Sequence, residues 1–335
     1  MNVLLTSAGR RSYLVSYFKE ALAGSGRVIA ANSVDCPAFR VADEAVVTPL
    51  IYSDGYIPFL LELCRRERVG LLLPLFDVDV PVLARNRGSF DAIGTKVVVP
   101  SEEVADACND KLCTVAALRA SCLAFPRTFA TLEEALKALS SGELAFPLVV
   151  KPRWGMGSIG IHVVHSDSEL HAACLLVKGE ISRSYLRFES EGGTGCPFII
   201  QEMVRGDEYG LDVMCDLDSR FRSVSIKKKA AMRAGETDEA IVVDDPELFR
   251  LGERIADAFP HPGNMDVDVI VGDKGPVVLE MNARFGGGYP FTHAAGVDLP
   301  AAIVAWASGS DVPDDSLRPI AGTRAYKDIS ISEIR

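Results

Sequence analysis

The sequence predicts a fold of the class α/β plus α+β, in which a parallel-sheet, Rossmann-like domain precedes antiparallel sheets. Three observations predict it. The length of 335 residues fits about two domains at roughly 150 residues each. The first hundred residues alternate short apolar runs with helical patterns, which is typical of a parallel sheet with crossover helices. From Phe146 onward the apolar runs follow one another as hairpins, which is typical of antiparallel sheets.

Hydrophobic spacing defines the elements of the first hundred residues. Strands are predicted at 2–6, 27–31, 70–75 and 97–99, with helices at 12–23 and 57–68. The ends of these strands carry Arg10 and Arg11 after the first strand and Asp77 after the third. Ligands of open parallel sheets bind at this edge. The two arginines are therefore either ligand contacts or the solvated start of a helix.

Cap residues and turns define the elements that follow. Ser101 and Thr131 are predicted N-caps, because each precedes two glutamates in a first helical turn, and the helix after Ser101 reaches about residue 121. Hairpins are predicted for 148–151 with 160–165, 198–203 with 208–216, and 266–271 with 276–282. The glycine-rich segment 190–195 is predicted to be a mobile loop that closes over a site.

Composition excludes several classes of protein. The net charge of −11 argues against a nucleic-acid surface, which needs a basic patch. No apolar run reaches the roughly 18 residues of a membrane helix. The eight cysteines include no Cys-x-x-Cys pair, and no basic segment precedes the first strand. We therefore expect a cytoplasmic protein with reduced thiols that acts on small molecules, with neither nucleic acid nor membrane as a partner.

A lysine at the end of a strand precedes a glycine-rich loop. Lys151 ends the apolar run 148–150, and Gly155, Gly157 and Gly160 follow it. Glycines let backbone N–H groups approach phosphate oxygens, and a lysine supplies a positive charge. The pattern predicts a phosphate site, with a glycine-rich hairpin and a solvated lysine as the alternative. It is not a Walker A loop, because no Gly-Lys-Ser/Thr opens a helix.

Two glutamates, Glu202 and Glu208, flank a predicted turn that contains the apolar Val204. An adenine ring needs an apolar slot with backbone donors and acceptors, and ribose hydroxyls favour a carboxylate. The segment therefore suits a nucleoside, and a solvated charged hairpin is the alternative.

The most specific pattern lies on the last predicted hairpin. Glu280, Asn282 and Arg284 share one face of a strand, and Asp266 and Asp268 share a face of the strand before it. Carboxylate and amide oxygens are hard ligands that suit Mg²⁺ bridging phosphates. A buried carboxylate pair without a cation would be costly. The arginine is suited to stabilise a transferring phosphoryl group or a carboxylate.

Taken in this order, the three patterns resemble the ATP-grasp superfamily over about residues 100–310. They look most like the synthetase domain of the carbamoyl-phosphate synthetase large subunit and the stand-alone carboxylate–amine ligases. The resemblance implies a pre-ATP-grasp α/β domain at 1–99, an N-terminal ATP-grasp subdomain at 100–197 and a C-terminal one at 198–335. A homodimer is possible, since dimers are common among such proteins.

The resemblance also implies a set of site residues. The nucleotide-binding positions would be Lys111, Lys151, Gly157, Ser158, Glu202, Val204 and Glu208. The ligands of Mg²⁺ (or Mn²⁺) would be Asp268, Glu280 and Asn282, with Asp266 as the alternative to Asp268 because the hairpin register is uncertain. The catalytic residues would be Arg284 and Lys151. One lysine of Lys227, Lys228 and Lys229 would face the triphosphate.

The implied activity is an ATP-dependent ligase that activates a substrate carboxylate as an acyl phosphate and joins it to an amine. The alternative is a carbamoyl-phosphate-synthetase-like domain that phosphorylates bicarbonate or carbamate with a separate partner. A nucleotide-binding module without turnover is the third possibility. The complete acidic set on the last hairpin argues against this third possibility, because a binding module has little need of it.

Overall fold

Three β-sheets form the framework of the protein in this computed structural model, which describes residues 1–155, 159–193, 195–233, 235–328 and 331. A parallel sheet comes first and two antiparallel sheets follow, so the fold class expected from the sequence is confirmed. Among the described residues, no helix is both long and apolar enough to cross a membrane.

The N-terminal sheet is parallel. Its strands are β1 (Asn2–Thr6), β2 (Val28–Asn32), β3 (Glu44–Val47), β4 (Val69–Pro74) and β5 (Lys96–Val97). The helices between them are α1 (Ser12–Leu22), α2 (Tyr56–Glu67) and α3 (Asp79–Asp91). The strand order is β3-β2-β1-β4-β5, and the central strands are buried on both faces, as helices on both sides of a parallel sheet require.

Two short helices, α4 (Glu102–Asn109) and α5 (Lys111–Ala120), replace the single helix predicted after Ser101. Ser101 is the N-cap of α4, as predicted, and its side chain accepts a hydrogen bond from the Val104 N–H. Asp110 ends α4 in an extended conformation and caps α5 through the Leu112 N–H. This change of direction places Lys111 in the first turn of α5.

The middle sheet is antiparallel. Its strands are β6 (Thr128–Phe129), β7 (Leu148–Pro152), β8 (His162–Val164) and β9 (Phe198–Glu202), in the order β6-β9-β7-β8. Its helices are α6 (Leu132–Ser140), α7 (Asp167–Ser182) and α8 (Leu186–Gly192). Thr131 caps α6 through the Glu134 N–H, as predicted. The predicted loop at 190–195 begins inside α8, and Thr194 lies outside the described residues.

The C-terminal sheet is the largest. Its strands are β10 (Asp207–Cys215), β11 (Phe221–Arg233), β12 (Glu236–Val243), β13 (Gly263–Gly272), β14 (Gly275–Asn282) and β15 (Arg324–Tyr326). Their order is β14-β13-β10-β11-β12-β15. The helices α9 (Pro246–Ala258), α10 (Tyr289–Ala294) and α11 (Leu299–Ala307) complete this unit.

One predicted hairpin is wrong. The strand at 198–203 does not pair with the strand at 208–216, because β9 lies between β6 and β7 in the middle sheet and β10 lies between β13 and β11 in the C-terminal sheet. The intervening residues 203–206 carry the chain from one sheet to the other. Gly206 sits in this crossing where a Cβ atom would lie 2.2 Å from the Val271 carbonyl oxygen, so only glycine fits.

Buried side chains form three clusters that join the sheets unequally. Two clusters contain residues of both the N-terminal and C-terminal sheets, such as Leu4 with Val267 and Val3 with Met214. The third contains only residues between 135 and 200, such as Leu148 and Leu170. The middle sheet therefore has its own core, and the other two sheets share theirs.

Candidate active site

A cavity of about 460 Å³ lies where the three sheets meet. The middle sheet contributes Lys151, and the N-terminal sheet contributes Phe76 and Asp77. The C-terminal sheet contributes most of the wall, from strands β10 to β14. The wall holds most of the charged residues that the sequence analysis singled out, together with Glu236.

Two lysines meet next to this cavity. Lys151, at the end of β7, and Lys111, at the start of α5, are each 8% exposed, and both line a smaller adjoining cavity. The Lys111 Nζ donates to the Gly155 carbonyl oxygen at 2.6 Å and lies 3.8 Å from a Glu280 carboxylate oxygen. Burial, and then the charge of Lys111, lower the pKa of Lys151 to about 8. A buried ammonium beside a second cation is the environment that an anionic ligand would stabilise.

The acidic set of the last hairpin forms one face of the cavity. Asp266 lies directly opposite Asn282 on the neighbouring strand, and Asp268 lies opposite Glu280. All four line the cavity, because alternate residues of a strand share a face. Burial raises the pKa of Asp268 to about 6, and the charges of Asp266 and Glu280 add to the rise while Lys229 opposes it.

These carboxylates are held by cations in the structure. Asp268 accepts from the Lys229 Nζ at 2.8 Å, and Asp266 accepts from the Arg284 Nη1 at 2.9 Å. In the described part of the chain, no three His, Cys, Asp or Glu side chains form a metal-binding group. Mg²⁺ commonly takes one or two carboxylates, with phosphate oxygens and water as its other ligands. The oxygen donors present therefore fit Mg²⁺ when a phosphate ligand completes the site.

The three consecutive lysines of β11 divide between its two faces. Lys227 forms a buried ion pair with Asp212, and Lys229 donates to Glu208 at 2.6 Å as well as to Asp268. Lys228 points to the opposite face and pairs with the exposed Asp207 at 2.6 Å. Lys227 and Lys229 line the cavity, whereas Lys228 does not. Strand alternation separates them.

Arg284 connects two sheets. Its Nε and Nη2 atoms lie 2.8 and 2.9 Å from the two carboxylate oxygens of Asp77, and its Nη1 contacts Asp266. Burial alone would lower the pKa of Arg284, but the two carboxylates raise it. The arginine is therefore fixed by the N-terminal sheet on one side and the C-terminal sheet on the other.

The predicted nucleoside positions are dispersed. Glu208 lines the main cavity, together with the apolar Leu279 and Ile161. The Glu202 side chain lines a second cavity of about 390 Å³, where it accepts from the Arg127 backbone N–H at 3.0 Å. Within the described residues, no hydrogen bond involves the backbone of Val204. Contacts through the backbone of the linker therefore stay a prediction.

Two predicted residues of the glycine-rich loop, Gly157 and Ser158, lie outside the described residues, and three charged residues of the cavity wall had no definite site role from the sequence. Arg11, for which the sequence left a ligand contact and a solvated helix start open, lines the cavity, as do Asp77 and Glu236, to which no site role was assigned. The signal for Arg11 and Asp77 was present, since both follow strands of a parallel sheet. Glu236 had no such signal, because its place in the wall depends on the pairing of β11 with β12.

Two family descriptions match the sequence. An ATP-grasp domain model matches residues 108–288, and a model of the PylC-like N-terminal domain matches residues 3–98. The boundary between the two matches falls close to the boundary between the N-terminal sheet and the segments that follow.

Several curated proteins are similar to parts of the chain. Acetyl-CoA carboxylase 2 from Oryza sativa subsp. japonica is 28% identical over 72% of this chain and 10% of its own length. The carbamoyl phosphate synthase arginine-specific large chain from Geobacillus stearothermophilus is 23% identical over 44% of this chain and 13% of its own length. The 3-methyl-D-ornithine–L-lysine ligase from Methanosarcina mazei is 26% identical over 46% of this chain and 36% of its own length. The chain thus spans between a tenth and about a third of these relatives.

Among solved structures, a biotin carboxylase–β,γ-ATP complex from Campylobacter jejuni superposes with a TM-score of 0.71. The superposition covers 94% of this chain and 72% of the other at 16% sequence identity. At that identity the likeness shows a common fold.

Proposed function

The chain belongs to the ATP-grasp family, and from that premise we propose that it is an ATP-dependent ligase that joins a carboxylate to an amine. One observation carries the proposal. The buried Lys151 lines the main cavity with the oxygen donors Asp268, Glu280 and Asn282, and Lys111 lines the adjoining cavity with Lys151 and Glu280. Such a site suits a nucleoside triphosphate with its divalent cation, because cations and hard oxygen donors must meet at the phosphates.

The described residues would share the work of holding the nucleotide. Lys111 and Lys151 would bind phosphate oxygens, and Lys229 is a further cation beside them. Glu208 would accept from the ribose, and Leu279 would contact the adenine in the apolar part of the cavity. Glu280 and Asn282, with Asp268 or Asp266, would hold Mg²⁺ (or Mn²⁺), which neutralises phosphate charge when bound.

The proposed reaction has two steps. A substrate carboxylate oxygen attacks the γ-phosphorus, the bond from phosphorus to the β,γ-bridging oxygen breaks, and ADP leaves. A neutral amine then attacks the acyl carbon, and inorganic phosphate leaves with the proton that the nitrogen loses. Lys151 and Arg284 would stabilise the negative charge of the transferring group, since preorganised cations need no reorganisation during the step.

Phosphate release tests the proposal. The protein is mixed with ATP, Mg²⁺ and pairs drawn from a panel of carboxylic acids and amines. Release that needs both an acid and an amine supports the ligase. Release with bicarbonate alone would favour the carbamoyl-phosphate-synthetase-like alternative. Binding of ATP without release by any combination would contradict a catalytic role.

Glu280→Gln tests the metal site. The substitution keeps the size of the side chain and removes one negative charge, so we expect phosphate release to fall at least about a hundredfold while the fold is retained. Glu103→Gln is the matched control, because Glu103 is exposed on α4 and lies outside the cavity. Equal turnover by the two variants would refute the assignment of Glu280. Circular dichroism of both variants checks the fold.

A further inference from the structure

The cations in the wall of the main cavity differ in whether they have carboxylate partners. Among the described residues the wall contains Arg11, Lys151, Lys227, Lys229 and Arg284. Lys227, Lys229 and Arg284 form ion pairs with carboxylates at hydrogen-bond distance. Within the same described residues, neither Lys151 nor Arg11 has a carboxylate oxygen within 4 Å of its nitrogen atoms. Cations without such partners mark the places where the cavity can receive anions.

The two unpaired cations lie in different electrical surroundings. The charges that act on Lys151 are those of Lys111, Glu280 and Asp268, which belong to the proposed nucleotide site. Arg11 lines the cavity together with Glu236, Arg284 and Asp266, and all four charges act on the nearby Tyr13. Phosphate groups of the proposed nucleotide would pair with Lys151, which leaves Arg11 available to a second anion.

Arg11 is oriented rather than loosely solvated. It immediately precedes α1, it is only partly exposed, and its Nη1 donates to the carbonyl oxygen of Phe285, the residue after Arg284. No other hydrogen bond of its guanidinium to a described residue is present. A guanidinium anchored through one nitrogen keeps its other N–H groups for a planar acceptor, and a carboxylate matches that geometry.

The carboxylate of Glu236 lies beside the same segment. A Cβ atom on Gly287 would lie 3.6 Å from the Glu236 carboxylate, so Glu236 flanks residues 285–287 as Arg11 does. One Glu236 oxygen accepts from the Lys327 Nζ at 3.0 Å, and the other has no partner among the described residues. An arginine and a glutamate flanking one backbone segment suit the two charged groups of an amino acid.

We propose that Arg11 binds the free carboxylate of an amino acid that serves as the amine substrate, with Glu236 near its ammonium group, which passes one proton to water before the neutral amine attacks the acyl carbon. The inference rests on the proposed function and narrows it to ligases whose amine substrate is an amino acid. The carboxylate held by Arg11 is not the one that is phosphorylated. That activated carboxylate must reach the γ-phosphate beside Lys151, whose charged neighbours are Lys111, Glu280 and Asp268.

Binding measurements test the inference without turnover. Each proteinogenic L-amino acid and its D isomer is titrated calorimetrically into the protein, with and without Mg²⁺ and a non-hydrolysable ATP analogue. For any amino acid that binds, we expect its carboxamide to bind about tenfold or more weakly, because a hydrogen bond to a charged group is lost. Arg11→Gln should weaken binding of the amino acid by a similar factor and leave binding of the carboxamide unchanged. Arg11→Lys should restore part of the preference for the amino acid over its carboxamide.

Arg10→Gln is the matched control. Arg10 is exposed, neighbours Arg11 and lies outside the cavity wall, so we expect its removal to keep the preference for the carboxylate. The inference is overturned if no amino acid of the panel binds, if acid and carboxamide bind equally, or if Arg11→Gln keeps the preference. Failure of the proposed function would appear in other measurements. The protein would then bind no nucleotide or release no phosphate, whether or not an amino acid binds.

Discussion

At the scale of single residues, the protonation of Lys151 determines how much positive charge the cavity offers to a phosphate group. Its pKa is lowered to about 8, chiefly by burial and then by Lys111. The ammonium that an ATP phosphate would pair with is therefore present below about pH 8 and lost as the pH rises through that value. Bound phosphate would raise the pKa again, so the effect belongs to the protein before the nucleotide binds.

We accordingly expect kcat/KM for ATP to fall as the pH rises through about 8, since this parameter reports the free enzyme. Lys151→Arg should remove the decline, because a guanidinium stays charged at such pH values, even if the maximal rate is lower. Initial rates across a pH series for both proteins provide the measurement. A wild-type profile that stays flat well above pH 8 would contradict the assignment.

The contact between Arg284 and Asp77 spans two sheets, and the two side chains are only 7% and 10% exposed. Asp77→Asn leaves the arginine with Asp266 as its one carboxylate partner, and breaking a buried pair commonly costs about 3 kcal/mol. We expect the free energy of unfolding to fall by about that amount in denaturant titrations. Asp91→Asn, at an exposed position at the end of α3, should change it little. Similar values for the two variants would refute a stabilising role of the pair.

Strand alternation predicted which residues of the last hairpin share a face, because that property is local to one strand. It did not decide among the lysines of β11, since the face that lines the cavity depends on where β10 and β12 lie. The pairing of Asp77 with Arg284 could not be predicted from the sequence either. The two residues are 207 positions apart, and no local pattern links them.

At the scale of elements, α8 attaches the middle sheet to the N-terminal sheet. The rings of Tyr52 and Phe188 stack with centroids 4.7 Å apart. Asn109 donates to Glu189 at 2.9 Å, close to the same stack. Tyr185, just before α8, lines the cavity together with Phe76. These contacts, which help to join the middle sheet to the rest of the molecule, thus lie beside the cavity wall.

Phe188→Ala should weaken this contact. An aromatic pair contributes about 1 kcal/mol beyond its buried area. The arrangement in which α8 lies against the N-terminal sheet would therefore lose roughly fivefold in population. We expect faster hydrogen exchange in α8 and a larger share of ATP hydrolysed without amide formation, since water then reaches the acyl phosphate. Leu175→Ala is the control, because it removes an exposed apolar side chain of α7, which packs on the same middle sheet. If both variants show the same hydrogen exchange in α8 and hydrolyse the same share of ATP without amide formation, the contact does not hold α8 in place.

The elements themselves show where sequence patterns lose information. The partner of β9 could not be predicted, because alternation identifies a strand but not the sheet it joins. The edge strand β3 and the helix α3 were not predicted. β3 is short and half-exposed, and α3 contains Pro81 and Gly88 within an irregular apolar pattern. Caps at Ser101 and Thr131 were predicted, since a cap is defined by residues within one turn.

At the scale of the whole molecule, the cores determine which parts unfold together. The N-terminal and C-terminal sheets share two buried clusters, and helices α4 and α5 contribute Ala105 and Leu118 to one of them. The middle sheet buries its side chains in a cluster of its own. The predicted division at residues 99 and 197 stays a prediction. Shared cores favour one cooperative unit made of the outer sheets and a second made of the middle sheet.

Two substitutions of the same chemistry distinguish these units. Leu170 belongs to the middle core and Leu72 to a shared one, and both are fully buried. Each change to alanine should cost about 3 kcal/mol. Leu170→Ala should speed native-state hydrogen exchange only between residues 128 and 200, whereas Leu72→Ala should speed it in both outer sheets at once. Uniform acceleration by either variant would mean a single cooperative unit. The middle sheet could not then open independently, and access to the cavity would require another movement.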